Sequence, residues 1–597
     1  MNISPLQFRR RWLSVSLFNC IATFAVVTPL TILANLTADP PRGLESATVE
    51  QRVVWFTPIA GGTLRNLAYD LCATLPLPTH LPLAVRGPDY TTWLWQHRWG
   101  EAIYGRLAIG VLGGLTFALP LGGLAILRTP RTRLARWVDG PQLIDGRRAV
   151  QSARAASAKA IKRTGRGIEI APDVPIAHER EIRSLLILGS QRSGKTVILR
   201  SLLRQLWAQG AKLIIHDTKG DMTETWPGSD VILLAPQDAR SWGWDIGRDI
   251  QGELATFEFA ASLVPEGRDP QWAQGAQVIL TAFLIALQQQ FGTNWGWREF
   301  CDVLQLPPAR MRALVETAYP AAASLLSLDE TGEQFTKNAQ SYVNSLLSPL
   351  IRLVRPLAAA WGDLHQDFRI SLTEWLDDGS TKGRTLILQR MPRFPETSRL
   401  WITAAIRHMV AITGGANFPD SAHRRIYFVM DEFTQIGKIP NLFDVPATHA
   451  AKGVCLAVAL QSLGQAREVY GPQAADQLAS LTGTKIILKL EKSDTADYVA
   501  NTWIGKWRYR VPERVVRPGA DGKSYTVTEW NDKGPDYLVL PGEFQRLGPC
   551  STGVRGFVLN LDDNVYQLEW PYEEWPKQRE GAVPASWITA LSVTKER

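Results

Sequence analysis

The sequence predicts an α/β fold: a parallel β-sheet flanked by helices, split by an all-helical insertion and preceded by two membrane-crossing helices. Three observations predict it. From residue 167 onward short apolar strands alternate with helical stretches, the pattern of βαβ units. Residues 266–365 carry apolar side chains at helical spacing, as in WAQGAQVILTAFLIALQQQF and YVNSLLSPLIRLVRPLAAAW, with no convincing strand. Residues 1–136 contain two long apolar runs without a charge. At 597 residues the chain exceeds a single core, so several domains are expected.

The apolar runs are Trp12–Leu36 and Leu107–Leu127, each near or above the roughly 20 residues that cross a bilayer's hydrocarbon. The first outlasts the apolar part of a cleaved signal peptide, so a retained anchor is expected. Arg9, Arg10 and Arg11 precede it, while Arg128, Arg131, Arg133 and Arg136 follow the second run. The positive-inside rule then puts both termini in the cytoplasm and residues 37–104 on the far side. Trp93, Trp95, Trp99 and Tyr104 crowd ahead of the second run, as interfacial aromatics do. Gly110 and Gly114 form a GxxxG pair, which suits close helix packing and plain small-residue filling equally.

Residues 137–166, rich in Arg, Ala and Ser, read as a linker. Lys plus Arg number 65 against 57 acidic residues, a net charge of +8 that permits a polyanionic partner without requiring one. The five cysteines (Cys20, Cys72, Cys301, Cys455, Cys550) form no CxxC pair and no zinc spacing with the histidines. Redox chemistry and a structural metal are therefore not expected.

The most informative stretch is LLILGSQRSGKT, Leu185–Thr196: an apolar strand, a loop of Gly189, Ser190, Gln191, Arg192, Ser193, Gly194, Lys195 and Thr196, then the helical VILRSLLRQLWAQ. This is a P-loop in its required strand–loop–helix setting. Gly189 and Gly194 let backbone N–H groups converge where phosphate oxygens can sit at a helix N-terminus. Lys195 is expected to reach the β/γ-phosphates of ATP, and the Thr196 hydroxyl to hold Mg²⁺. Further strands are read at KLIIHDTKGD (Lys212–Asp221), DVILLAP (Asp230–Pro236), RTLILQRM (Arg384–Met391), RRIYFVMDEF (Arg424–Phe433), GVCLAVALQS (Gly453–Ser462) and TKIILKL (Thr484–Leu490).

IYFVMDEF ends an apolar strand on Asp431 and Glu432, a Walker B pattern. Asp431 is expected in the Mg²⁺ shell, and Glu432 to orient or deprotonate the attacking water. Gln461 ends the next strand, where it can sense the γ-phosphate or place water; a turn-forming role also fits. Asp217, Lys219 and Asp221 sit at another strand tip, and open α/β sheets bind ligands outside such tips.

Residues 167–265 and 366–505 thus form one nucleotide-binding domain around the insertion 266–365, and 506–597 a C-terminal segment. Within that segment, Trp507–Trp530 interleaves basic and aromatic residues around PGADG. A β-hairpin with a charged exposed side is the simpler reading, beside base stacking by a nucleic-acid binder.

GSQRSGKT, DTKGD, APQDARSWGWD (Ala235–Asp245), FVMDEF and LQSLGQAREVYG (Leu460–Gly471) resemble the boxes of the type IV coupling proteins of conjugation, in their TraD-like branch. Two N-terminal spans around an outer loop and the helical insertion add to the likeness. The resemblance implies a RecA-like ATPase, a homo-hexamer at the inner membrane of a donor bacterium. Such a protein takes a relaxase–DNA complex, the relaxosome, and drives single-stranded DNA into type IV secretion channel proteins. It also implies that Lys195, Thr196, Asp431, Glu432 and Gln461 take the family's nucleotide, metal and catalytic roles. One position departs: Ala450 stands near the place of the family's arginine finger, leaving Lys452, Arg467 and the stretch from Arg390 to Arg399 as substitutes. Two other readings stay open, an ATP-switched docking receptor for secreted proteins and an FtsK-like double-stranded DNA translocase. The second is disfavoured by the small number of spans and the lack of a recognisable winged helix.

Overall fold

The structure, a computed structural model, describes residues 136–264, 270–439, 441–518 and 524–588, and before them only Ile21, Leu112 and Thr116. Apart from those three residues, the two apolar runs expected to cross a membrane lie outside the described residues. Among the described residues no helix is long and apolar enough to cross one. The chain divides into two compact units, 140–506 with 537–597, and 1–139 with 507–536.

The larger unit is built on an eleven-stranded sheet. Its principal strands are β1 Leu185–Leu188, β2 Lys212–Asp217, β3 Val231–Leu234, β4 Thr385–Gln389, β5 Ile426–Met430, β6 Val454–Leu460, β7 Thr484–Ile487, β8 Gly553–Leu559 and β9 Val565–Pro571. Across the sheet the order is β9, β8, β7, β1, β6, β5, β2, β4, β3. From β7 to β3 every neighbouring pair is parallel, whereas β8 joins β7, and β9 joins β8, antiparallel. Every residue of β1, β4, β5 and β6 is buried. That explains the apolar runs of β1, β5 and β6 and the LIL centre of β4: a parallel strand covered on both faces has no polar side to alternate with.

The covering helices include α1 Arg147–Thr164 and α2 Lys195–Ala208. Helix α1 occupies the stretch expected to be a linker, and it buries Ala149, Ala153 and Ser157 on one face. The four-residue spacing of small side chains lets the helix sit close; composition alone hid this because the buried stripe is made of Ala and Ser, with Val150 and Ala156 packed beside it.

Between β3 and β4 lie α3 Glu253–Leu263, α4 Pro270–Phe291, α5 Trp297–Val303, α6 Pro308–Ala318 and α7 Lys337–Trp361. Helix α8, Pro395–Gly414, follows β4. A chain of edge and tilted ring contacts ties these helices together: Trp244 to Trp297 at 5.9 Å, Trp297 to Trp361 at 5.8 Å, Trp361 to Trp401 at 5.4 Å. Each such pair adds about 0.5–1.5 kcal/mol beyond its buried area.

In the smaller unit, Arg136–Asp139, Lys506–Pro518 and Ser524–Tyr537 make a three-stranded sheet, with Arg136 opposite Arg510. Much of the hairpin's charge is paired across strands: Arg510 with Asp532 at 2.5 Å, Lys533 with Glu513 at 2.8 Å, and Arg517 with Glu529. The Arg136 guanidinium lies 4.2 Å from the Trp530 ring centre. The basic and aromatic interleaving seen in the sequence is thus largely cross-strand pairing.

Candidate nucleotide site

Strand register builds the site. Leu188 pairs with Leu460 and with Ile487, Met430 with His216 and Val458, and Gln389 with Asp217. The carboxyl ends of β1, β6, β5, β2 and β4 therefore lie along one edge of the sheet, β1 and β6 running two residues and β2 and β4 one residue past the end of β5. The next residues along that edge are Gly189, Gln461, Asp431, Thr218 and Arg390.

The loop after β1 is pinned at its base, where Gly189 N donates to Leu460 O at 3.0 Å and Ser190 N to Lys489 O at 2.8 Å. Arg192 and Gly194 take left-handed φ angles of 59° and 98°. A Cβ on Gly194 would stand 2.5 Å from a Val554 methyl, so glycine is required there twice over, by conformation and by space. Lys195 opens α2 and is buried; its Nζ donates to Gly189 O at 2.8 Å and Ser190 O at 3.0 Å. Burial lowers its pKa, and the charges of Asp431 and Glu432 oppose that shift. The same coupling is felt by Asp431: burial and the Glu432 charge raise its pKa, while Lys195 and Lys219 pull it down. The glycine loop and the acid pair thus share one electrostatic site.

Glu432 has φ 55°, an unusual value for a side-chain-bearing residue. Its carboxylate is held from several directions. Gln461 Nε2 donates to Oε1 at 3.0 Å, Gln435 Nε2 donates to Oε2, and Lys219 Nζ lies 3.9 Å from Oε1. Gln435 was not singled out by sequence, because an amide three residues past an acid pair carries no pattern of its own. Nor was His216, which is buried on β2 with Nδ1 3.2 Å from Asp431 O. Burial pushes its pKa down to about 4, leaving a neutral imidazole.

Asp217 is buried, and its charge adds to the rise of the Asp431 pKa. It accepts from Gly220 N at 2.8 Å, from Thr223 N at 2.8 Å and from Thr223 Oγ1 at 2.9 Å, closing its own turn. Asp221 is exposed at the start of the short helix Asp221–Thr225.

The candidates for a missing arginine separate clearly. Lys452 Nζ is bound to Gly414 O at 3.1 Å and Gly415 O at 2.7 Å, holding the end of α8. Arg467 stacks over Tyr498 at 5.1 Å, and Arg393 over Phe394 at 5.7 Å. Arg399 lines the turn at Gly437. Arg390 joins the Glu432 network through Gln435.

These residues fit a magnesium nucleotide. The Oγ atoms of Ser190 and Ser193 are buried without a hydrogen-bond partner, at the loop where phosphate oxygens would accept them. Lys195 Nζ occupies loop carbonyls that are weaker acceptors than a phosphate. Thr196, half-buried in the first turn of α2, and the Asp431 carboxylate are hard oxygen donors suited to Mg²⁺. Gln191 and Arg192 are exposed at the loop crest.

Residues 168–568 match the family described as the type IV secretion-system coupling protein DNA-binding domain. The coupling protein TraD of Escherichia coli (strain K12) is 23% identical over 414 residues, 65% of this chain and 55% of TraD. The chain thus spans about half the length of that curated relative. Among solved structures, the unbound conjugative coupling protein TrwBdeltaN70 superimposes with a TM-score of 0.60 at 19% identity, covering 76% of this chain and 97% of that one. TrwB in complex with ADP and Mg²⁺ gives 0.59 at 20% identity, over 76% and 98%. These likenesses establish the fold of the larger unit as the α/β core of those proteins.

Proposed function

This chain belongs to the type IV secretion-system coupling proteins, and from that premise we propose that it is an inner-membrane ATPase that delivers DNA to a type IV secretion channel. It takes a relaxase-bound single strand and moves it by ATP hydrolysis, working as a homo-hexameric ring. The two apolar runs anchor it, with both termini in the cytoplasm.

In this reading the backbone of Gly189–Thr196 and the Lys195 ammonium cradle the β- and γ-phosphates. Thr196 and Asp431 would hold Mg²⁺, which when bound would supply charge neutralisation to the phosphate oxygens. Glu432 accepts a proton from, or aligns, the attacking water, and Gln461 fixes the Glu432 carboxylate from the neighbouring strand. The observation that carries the reading is the sheet edge on which β1, β6 and β5 end side by side, with Gln461, between the glycine loop and the acid pair, donating to Glu432 Oε1 at 3.0 Å. It is supported by TrwB, whose structure holds ADP and Mg²⁺.

The test is steady-state ATP hydrolysis by the full chain in detergent or nanodiscs, with single- or double-stranded DNA. Lys195→Ala and Glu432→Gln are each expected to cut turnover by at least about 100-fold, and single strands to stimulate more than duplex. Full activity in Lys195→Ala would remove the site assignment. Indifference to any DNA would turn the reading toward a protein-docking receptor.

A further inference from the structure

Glu432 is tied to an arginine that belongs to no motif. Its Oε2 accepts from Gln435 Nε2, and Gln435 Oε1 accepts from Arg390 Nη1 at 2.6 Å. Arg390 is itself fixed at the backbone, where its N–H donates to Asp217 O at 2.9 Å. That bond extends the β4–β2 ladder one residue past the Gln389–Asp217 pair. We propose that Arg390 is a positioning residue for hydrolysis, holding the Glu432 carboxylate in place through Gln435. The inference rests on the reading of Glu432 given above.

The chemistry of the three groups makes the relay directional. A guanidinium only donates and a carboxylate only accepts, whereas an amide does both at opposite ends. With Arg390 present, Gln435 has one satisfactory orientation: oxygen toward the guanidinium, NH₂ toward Glu432. Without it Gln435 Oε1 loses its donor, and the amide is fixed only by the carboxylate it would otherwise hold. Gln461 holds Oε1 from the other side, so the two amides together set the plane of the carboxylate. Such anchoring matters at this residue because its backbone sits at φ 55°, a conformation that persists only where surrounding contacts enforce it.

The relay also separates Arg390 from the other cations considered. Lys452, Arg467, Arg393 and Arg399 are occupied by carbonyls, rings or a turn away from the acid pair. Arg390 acts within its own chain, on the residue next to the reacting water, and needs no neighbouring subunit to do so.

The experiment measures kcat, KM and the dissociation constant of a fluorescent ATP analogue for the full chain carrying Arg390→Ala, Arg390→Lys, Gln435→Ala, the Arg390→Ala/Gln435→Ala double change, or Glu432→Gln. Arg390→Ala is expected to lower kcat by roughly 10- to 100-fold, with KM and analogue affinity within about two-fold of wild type. Arg390→Lys keeps a donor toward Gln435 and should recover part of the loss. The double variant should be no worse than Gln435→Ala alone, since both changes cut one relay. Additive losses, or a fall in nucleotide affinity that matches the fall in kcat, would make Arg390 a structural staple and overturn the proposal. So would unchanged kcat in Arg390→Ala while Glu432→Gln is inactive, an outcome that leaves the site reading standing. Full turnover in Glu432→Gln would instead remove the reading on which the relay depends.

Discussion

At the scale of single residues, Asp431 pays for its place. Burial first, and the adjacent Glu432 charge second, raise its pKa above the ordinary aspartate value. A carboxyl whose folded pKa is raised stabilises the fold only while protonated, at pH below the unfolded value. That contribution is lost as pH rises through the folded value. At neutral pH the cost of that upward shift therefore falls on the nucleotide-free protein. Asp431→Asn should raise the Tm of nucleotide-free protein at pH 7 by roughly 1 °C per kcal/mol of strain relieved, the small step expected of so large a cooperative unit. The gap to wild type should narrow as pH falls toward the ordinary carboxylate range, and magnesium-dependent hydrolysis should disappear. Calorimetry across pH checks this, and a lower Tm for the variant at pH 7 would contradict it. His216 beside it is already neutral at physiological pH, with a pKa near 4, so it contributes no compensating charge.

Among elements, the C-terminal strands explain both what the sequence displayed and what it concealed. The strands β1, β5 and β6 were legible because each is buried on both faces and reads as an unbroken apolar run. Asp431, Glu432 and Gln461 were legible because each directly follows such a run, and Lys195 because of its spacing from Gly189 and Gly194. Strand β8 was not, since GVRGFVL carries two glycines and an arginine, which weaken a strand pattern. The glycines have structural reasons visible only across strands. A Cβ on Gly553 would stand 2.0 Å from Trp570 O, and one on Gly556 would stand 2.7 Å from a Leu488 methyl. Gln435 was hidden for the same reason, and Arg390, named in the sequence only within a stretch of candidate arginines, shows its bond to Gln435 only across elements. Strand β8 also forms a wall of the candidate site, since Val554 packs against Gly194. Val554→Ala should cost about 1.5–3 kcal/mol in denaturant unfolding and raise KM for ATP by loosening the loop. Gly194→Ala should be worse, and combining it with Val554→Ala should restore space but not the left-handed φ of 98°. If the double variant bound nucleotide like wild type, backbone conformation at Gly194 would be irrelevant to the loop.

For the whole molecule, the mild excess of 65 basic over 57 acidic residues, and the extensive pairing within the hairpin, leave no broad basic surface declared by composition. On the proposed reading, a chain that moves DNA with so small an excess must concentrate its phosphate contacts, and such contacts have a measurable signature. Each phosphate neutralised on a single strand releases counterions, so the logarithm of affinity falls with the logarithm of salt by about 0.7 per contact. DNA-stimulated ATPase titrated with single-stranded oligonucleotide at several salt concentrations should therefore show a half-saturation point that climbs steeply with salt. The maximal rate should stay nearly constant, because Lys195, Asp431 and Glu432 interact inside a partly buried site that salt screens weakly. A docking receptor that uses ATP only as a switch predicts the opposite pattern, a half-saturation point indifferent to salt or no stimulation at all. Equal salt slopes for half-saturation and maximal rate would mean that ionic strength dismantles the assembly itself, and the two effects separate when the titration is repeated at several protein concentrations.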